Sequence, residues 1–383
     1  MTAQDSVPSR RRTAIAIVAA ASMFGITYGL SSPLIALELQ RRGHGEVLIG
    51  LNAAMHALGV LTVAWMLPRA ASRWGMRRIL IVALMLVGVV LMLFPASAWV
   101  WLWFPLRYVL GIGSEGVLVT TESWTSHLSD EASRTTNMAI YTAAVSVGLA
   151  IGPLLLGHVG SGDAVPFLIG AALAMAACAF VVFDRAPSPQ FAHRPLSGGV
   201  VGLLRHAPVA MAATALNAAL ETSGLTFLPM YAMRLGWSEQ GATALVATLL
   251  VGAIVLQLPI GWLGDRFDRR RLVLAFSALS ALGALLWPFA IGVAWLGHAL
   301  LFVWGGVFVG IYTLVVTIVG SRYSEGQLVQ VYAGMSVAFG IGALLGPLLA
   351  GAAMHLSRDG LAWFAAAACA AFGLFAWRSR APA

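Results

Sequence analysis

The chain predicts an all-α membrane protein: twelve transmembrane helices in two pseudo-symmetric six-helix bundles. Three observations carry this. Of 383 residues, 60% are hydrophobic and 10% charged, with mean hydropathy +0.86, which is more apolar surface than a soluble domain of that length can hide. The apolar residues gather in runs of about 20, each long enough for ~30 Å of hydrocarbon. The chain also repeats itself after about 193 residues: Pro68 to Arg78 (PRAASRWGMRR) returns as Gly261 to Arg271 (GWLGDRFDRRR), Gly152-Pro153-Leu154-Leu155 as Gly346-Pro347-Leu348-Leu349, and Thr27-Tyr28-Gly29-Leu30 as Thr222-Ser223-Gly224-Leu225.

The runs fall at 13–37, 47–67, 78–96, 99–122, 138–158 and 164–183, then at 207–232, 238–260, 272–291, 293–318, 329–354 and 361–377. Only helices or a closed barrel satisfy the backbone in lipid, and these runs are continuous and rich in Ala, Leu and Gly where barrel strands alternate. Residues 1–12 are polar and end in Arg10-Arg11-Arg12; the run that follows is too long for a signal-peptide core, so it is expected to persist as the first span. The stretch before Arg205 holds Pro187, Pro189, Pro195, Gly198 and Gly199, a linker composition. The expected organisation is a cytoplasmic tail 1–12, a bundle 13–184, a cytoplasmic linker 185–205, a bundle 206–378 and a cytoplasmic tail 379–383.

All basic side chains are Arg, and the formal charge is +8. With a cytoplasmic N-terminus, the inner loops and tails collect Arg10, Arg69, Arg73, Arg77, Arg78, Arg134, Arg266, Arg269, Arg270, Arg271, Arg322 and Arg378 among others, while the outer loops keep Arg41, Arg42, Arg234 and Arg358. This asymmetry places both termini in the cytoplasm and makes the basic pI a matter of topology and anionic lipid headgroups, with no nucleic-acid partner. Cys178 and Cys369 fall inside the sixth and twelfth spans, as apolar fillers. No Walker loop, nucleophile elbow or metalloprotease signature is present and no loop is long enough for a catalytic domain, so neither an enzyme nor a cofactor is expected.

Charges inside spans are the sharpest functional signal. Arg107, Gly111, Glu115 and Glu122 in the fourth span share one face of a helix at ~100° per residue, and ionisable groups at that depth cost ~2.5 to 3.5 kcal/mol each, which argues for a cavity or a partner. Glu221 in the seventh span is the second such charge. Tyr28, Asn217, Thr222 and Tyr312 are candidates for a substrate cavity, with ordinary interhelical packing the alternative for each. His56, Met55, His298, Met230 and Met233 invite a metal reading, but no tight cluster of soft ligands appears and packing accounts for them, so no metal is expected. Gly148, Gly152, Pro153 and Gly157 in the fifth span, echoed by Gly342, Gly346, Pro347 and Gly351, suit close helix approach and bending.

Over essentially its whole length the chain resembles the major facilitator superfamily of secondary transporters. The family's loop signature, Gly-x-x-x-Asp-Arg-x-Gly-Arg-Arg, is met by Gly261, Asp265, Arg266, Arg269 and Arg270, with Asp268 where Gly is usual; the first copy keeps Arg73, Gly75, Arg77 and Arg78 but has Pro68 and Ser72 at the Gly and Asp positions. The resemblance implies a cytoplasmic gate at both loops, with the Asp265 copy carrying any charged latch and simple orientation by Arg the alternative. In the fourth span Arg107, Gly111 and Gly113 match an Arg-x-x-x-Gly-x-Gly signature implicated in proton coupling, with Leu110 where Gln is common. The first, fourth, seventh and tenth spans of the superfamily line a central cavity. Glu221 or Glu115 is therefore the expected proton site, with Arg107 tuning it, and a static Arg-carboxylate pair the alternative. Glu122 opens a Glu-Ser-Trp triplet seen in similar form in one branch of the superfamily, either a proton site or a headgroup-level carboxylate. The fifth-span glycines resemble the antiporter motif.

The resulting expectation is a monomeric, multi-pass secondary transporter of the bacterial cytoplasmic membrane, moving a small organic solute against protons by alternating access, with export ahead of proton-coupled nutrient uptake. A receptor or assembly factor without turnover is the alternative of another class. The partners expected of the transporter are the solute, protons and membrane lipid.

Overall fold

The computed structural model describes residues 7–128, 134–183, 207–323 and 325–379. Helices fill them, and no strand occurs among the described residues. In chain order they are α1 (Val7–Arg41), α2 (Glu46–Trp74), α3 (Met76–Ala96), a 3₁₀ turn (Val100–Leu102), α4 (Trp103–Leu128), α5 (Arg134–Val159), α6 (Val165–Phe183), α7 (Pro208–Arg234), α8 (Glu239–Val255), α9 (Gln257–Arg266), α10 (Arg269–Leu285), α11 (Trp287–Ala290), α12 (Ala294–Arg322), α13 (Glu325–Leu356) and α14 (Gly360–Arg378). The linker expected at 185–205 lies outside the described residues.

Each of the twelve apolar runs became a helix or a broken helix. The eighth is split at Leu256 into α8 and α9, and the ninth at Leu286 into α10 and α11. Pro259 and Pro288 follow those joints, and a proline without its N–H cannot continue the bonding of the preceding turn. Polar ends carry several helices beyond hydrocarbon length: α1 begins at Val7, inside the tail expected at 1–12. Nine described helical runs are long and apolar enough to cross a membrane. The predicted spans outside that set are α10, which has only 17 residues, and α4 and α7, which carry the polar residues of the candidate site. Tryptophans stand exposed at helix ends, among them Trp74, Trp99, Trp101, Trp295 and Trp377, the placement of an interfacial aromatic belt.

The chain divides into two compact units, Met1–Leu34 with Leu58–Arg194, and Ile35–Ala57 with Pro195–Ala383. In the first, α3 packs on α4 and α6. Its core joins Leu80 and Leu84 to Val117 and Trp124 of α4, Ala177 and Val181 of α6, and Ile17 of α1. At the far end of α3, Phe94 meets Trp103 edge-on with ring centres 5.0 Å apart and stacks on Phe167 at 5.8 Å. Helices α1 and α5 touch through their backbones: a Cβ added to Gly148 meets Ser22 O at 2.5 Å and Ile26 N at 3.1 Å, and Gly25, Gly29 and Gly152 are equally tight.

The second unit repeats this contact. Helix α13 packs along α7, and a Cβ on Gly346 meets Ala219 Cα and O at 2.5 Å, with Gly342 against Ala215 one turn earlier. The Gly-Pro repeat therefore has one packing role in both units: it lets two helices close to backbone contact where no side chain fits. Elsewhere in this unit Trp304 stacks on Phe308 at 4.7 Å, meets Trp287 edge-on at 4.8 Å, and donates its indole N–H to Ser280 O at 2.8 Å.

Candidate transport site

Helix α4 is held by its glycines. A Cβ on Gly59 of α2 lies 3.1 Å from the Gly111 carbonyl carbon and 2.9 Å from Ile112 N, while one on Gly113 lies 2.9 Å from Val87 and 3.1 Å from Ala83 O of α3. Gly113 of the signature thus serves close packing on α3, and Gly59 of α2 admits the α4 backbone at Gly111, which together hold α4 in place. Arg107 is 3% exposed. Its Nη2 donates to Ser32 Oγ of α1 at 3.3 Å, and its Nε and Nη1 are buried with no partner. Tyr28 lies one turn before Ser32 and stacks on Phe24, ring centres 5.9 Å apart.

The predicted stripe on α4 is graded in burial. Arg107 and Gly111 are buried, Glu115 is half-buried and Glu122 is exposed. Next to Glu122, Tyr141 of α5 donates to Leu118 O at 3.1 Å and shares a hydrogen bond with Thr121. Within this unit no ion pair joins Glu115 or Glu122 to a cation among the described residues.

In the second unit, Asn217 Nδ2 donates to Glu221 Oε2 at 3.4 Å, and Asn217 Oδ1 is buried without a partner. Asn217 and Glu221 are one turn apart on α7, so the amide braces the carboxylate along one face. Thr222 Oγ1 donates to Ala218 O at 2.7 Å, leaving only its acceptor side for a solute. Tyr312 is half-buried on α12. Sequence reasoning missed its neighbour Thr313, which donates to Gln257 Oε1 of α9; a lone Gln after an apolar run is a weak signal until the fold supplies its partner. His298 shares a hydrogen bond with Thr248 at 2.7 Å and packs edge-on against Trp237, and His56 is buried on α2. Among the described residues no three His, Cys, Asp or Glu side chains gather as a metal site.

The two gate loops do related work in the two units. Arg77 Nη2 donates to Val182 O at the end of α6, and Arg270 Nη2 to Ser379 O at the end of α14, at 2.7 and 2.8 Å. A repeated Arg thus caps the C-terminus of the last helix of each six, where carbonyls lack partners and the helix dipole favours a cation. Arg73 is exposed; the Ser72 side chain lies outside the described residues. Gly75 takes φ +75 ahead of α3, a conformation that favours glycine. The second copy solves the same turn differently: Asp268, at φ −60, accepts from Arg271 N at 2.8 Å and caps α10. This is the physical reason for Asp where Gly is usual. Asp265 pairs with Arg269 at 3.6 Å, Arg269 Nε donates to Gly264 O, and the Arg266 guanidinium lies 4.1 Å over Trp262.

At the opposite end of the second unit lies a cluster that the sequence did not announce. Arg234, closing α7, pairs with Glu46 at the start of α2 and donates to Met354 O of α13, and His355 lies 3.8 Å from Glu46. Tyr231 donates to Asp359 at 2.9 Å and Arg358 to Arg234 O at 3.2 Å.

This geometry, long apolar helices duplicated in two units with polar groups confined to a few inner faces, defines a helical membrane carrier. The Major Facilitator Superfamily model matches residues 13–251 and 210–383, and the chain belongs to that family. The "Uncharacterized MFS-type transporter YfkF" of Bacillus subtilis (strain 168) is 26% identical over 345 residues, covering 88% of this chain and 87% of the relative. A second relative, "Uncharacterized MFS-type transporter Ent638_1421" of Enterobacter sp. (strain 638), is 23% identical and covers 82% and 81%. Among solved structures the fold matches the nucleoside transporter NupG with TM-score 0.77, 12% identity and coverage of 96% of each chain. It also matches a bacterial homolog of the human lysosomal transporter Spinster, inward-facing and occupied, with TM-score 0.76, 16% identity and coverage of 99% and 100%. The chain is a multi-pass membrane protein with the fold of a secondary transporter.

Proposed function

We propose that this protein is a proton-coupled carrier of small organic solutes in the bacterial cytoplasmic membrane, monomeric, with both termini in the cytoplasm, working by alternating access. The observation that carries this is the pair Glu115 and Glu221: each is a carboxyl group inside a membrane helix with no cation at salt-bridge distance among the described residues of its own unit. A carboxyl group so placed is costly as an ion and marks a site where a proton boards and leaves. The distribution of Arg supports the orientation.

Export is the direction we propose, on the likeness of Gly148, Gly152 and Pro153 to the antiporter motif. The equal packing of Gly342 and Gly346 on α7 gives that element a structural role in both units, so flux has to decide the direction. The test is pH-gradient-driven solute movement in proteoliposomes loaded with a pH dye. Solute flux is expected to move protons in the opposite sense and to be lost in Glu115→Gln or Glu221→Gln. Solute flux unaffected by both substitutions overturns the proton assignment, and accumulation with the proton flow makes the protein an uptake carrier.

A further inference from the structure

Arg107 is a cation without a counter-ion among the described residues of its own unit. Three of its N–H donors, one on Nε and two on Nη1, are buried without a partner, and its single hydrogen bond is to the neutral Ser32. The helices of the first unit offer no alternative. Residues 7–34 of α1, 58–74 of α2, and all of α3, α5 and α6 contain no Asp or Glu. Helix α4 contains two, Glu115 and Glu122, which lie roughly 12 and 22 Å from Arg107 along the axis at ~1.5 Å per residue. Neither reaches it. Burying a guanidinium without a counter-ion is expensive. Close contacts at Gly59 and Gly113 hold the backbone of α4 that carries Arg107 against α2 and α3.

A fork of N–H donors in a fixed plane, fully charged, is the arrangement that recognises a carboxylate. We propose that Arg107, steadied by Ser32, is the anchor of a substrate anion site, and that the solute this carrier moves is an organic monocarboxylate whose charge completes the buried pair. The proposal rests on the transporter reading and narrows its solute from small organic molecules to organic acids. The unpartnered donors then select by charge: a neutral analogue leaves them unpaired, and a cation is repelled.

The test is binding without any gradient, so it stands or falls apart from proton-coupled flux. Purified full-length protein is titrated with acetate, benzoate and 1-naphthoate, each beside its neutral amide, and melting is followed. At least one acid is expected to raise the melting temperature with the logarithm of its concentration while its amide does not. Arg107→Gln is expected to weaken that response about tenfold or more, and Arg107→Lys, which keeps the charge but loses the fork, to keep part of it. Should Arg107→Gln fail to fold, the Lys variant carries the test: an unchanged affinity there overturns the fork. Arg378→Gln, exposed at the end of α14, is expected to leave acid binding intact. The proposal is overturned if no acid outperforms its amide, or if the response survives Arg107→Gln.

Discussion

Replacing Gly148 by Ala adds one methyl group to the contact between α1 and α5, and the structure fixes what it meets. The new Cβ falls 2.5 Å from Ser22 O, 3.1 Å from Ile26 N and 3.3 Å from Gly25 Cα. All three are backbone atoms, so no rotamer change relieves the overlap and the helices have to separate. Overpacking of this kind costs about 1–3 kcal/mol. Alanine also gains about 1 kcal/mol over glycine in a helix interior, which obscures the loss in any single measurement. Gly224→Ala supplies the control: it lies inside α7, and its added Cβ meets nothing within 4 Å. The propensity gain is common to both variants, so their difference isolates the clash at about 1–3 kcal/mol. Cys178 and Cys369 are both free and buried, one in each unit, so a thiol-reactive dye reports unfolding, and Cys369→Ser leaves Cys178 to report on the first unit alone. Gly148→Ala is expected to expose Cys178 at a lower temperature than wild type, and Gly224→Ala, read at Cys369 of its own unit, to leave melting unchanged or raised. Equal melting of the two alanine variants refutes the claim that backbone contact sets the α1–α5 distance.

Other outcomes follow from the same geometry. Asp268→Ala removes the cap of α10 and should cost about 0.5–2 kcal/mol, with Asp268→Ser restoring most of it; equal stability of the Ala and Ser variants counts against a capping role. Glu46→Gln leaves Arg234, whose side chain is 25% exposed, without its carboxylate, and should cost about 1–3 kcal/mol, between the limits for exposed and buried pairs. Glu38→Gln, which faces Arg41 and Arg42 within one helix end, should cost about 0.5 kcal/mol. Trp304→Phe strips the donor from Ser280 O in a buried aromatic cluster and should lower stability by about 1 kcal/mol in denaturant titration. Arg77→Ala and Arg270→Ala should each destabilise the unit whose last helix they cap, the first seen at Cys178 and the second at Cys369.

The helices were legible because lipid imposes a simple rule: apolar runs of sufficient length have to satisfy their own backbone, so composition alone gave twelve runs, each of which became a helix or a broken helix. The joints at Leu256 and Leu286 were missed because hydropathy does not change there, although Pro259 and Pro288 marked them. Arg107, Glu115 and Glu221 were visible as charges where charges are costly. Their surroundings were not visible, because a hydrogen bond from Arg107 to Ser32 joins residues 75 positions apart and no periodicity in either helix encodes it. Asp268 looked like a departure from a motif and proved to be a helix cap, a role that depends on a turn geometry, φ −60 where Gly75 has +75, that the motif does not encode.

By itself the sequence determined membrane residence, the helical class, the duplication and the family, since each follows from local composition or from residues repeated at a fixed spacing. Only the tertiary structure decided which polar groups are satisfied and which are left wanting. Satisfaction depends on neighbours brought together from distant parts of the chain. In the first unit that packing gives Arg107 a hydroxyl and leaves three of its buried donors without a partner.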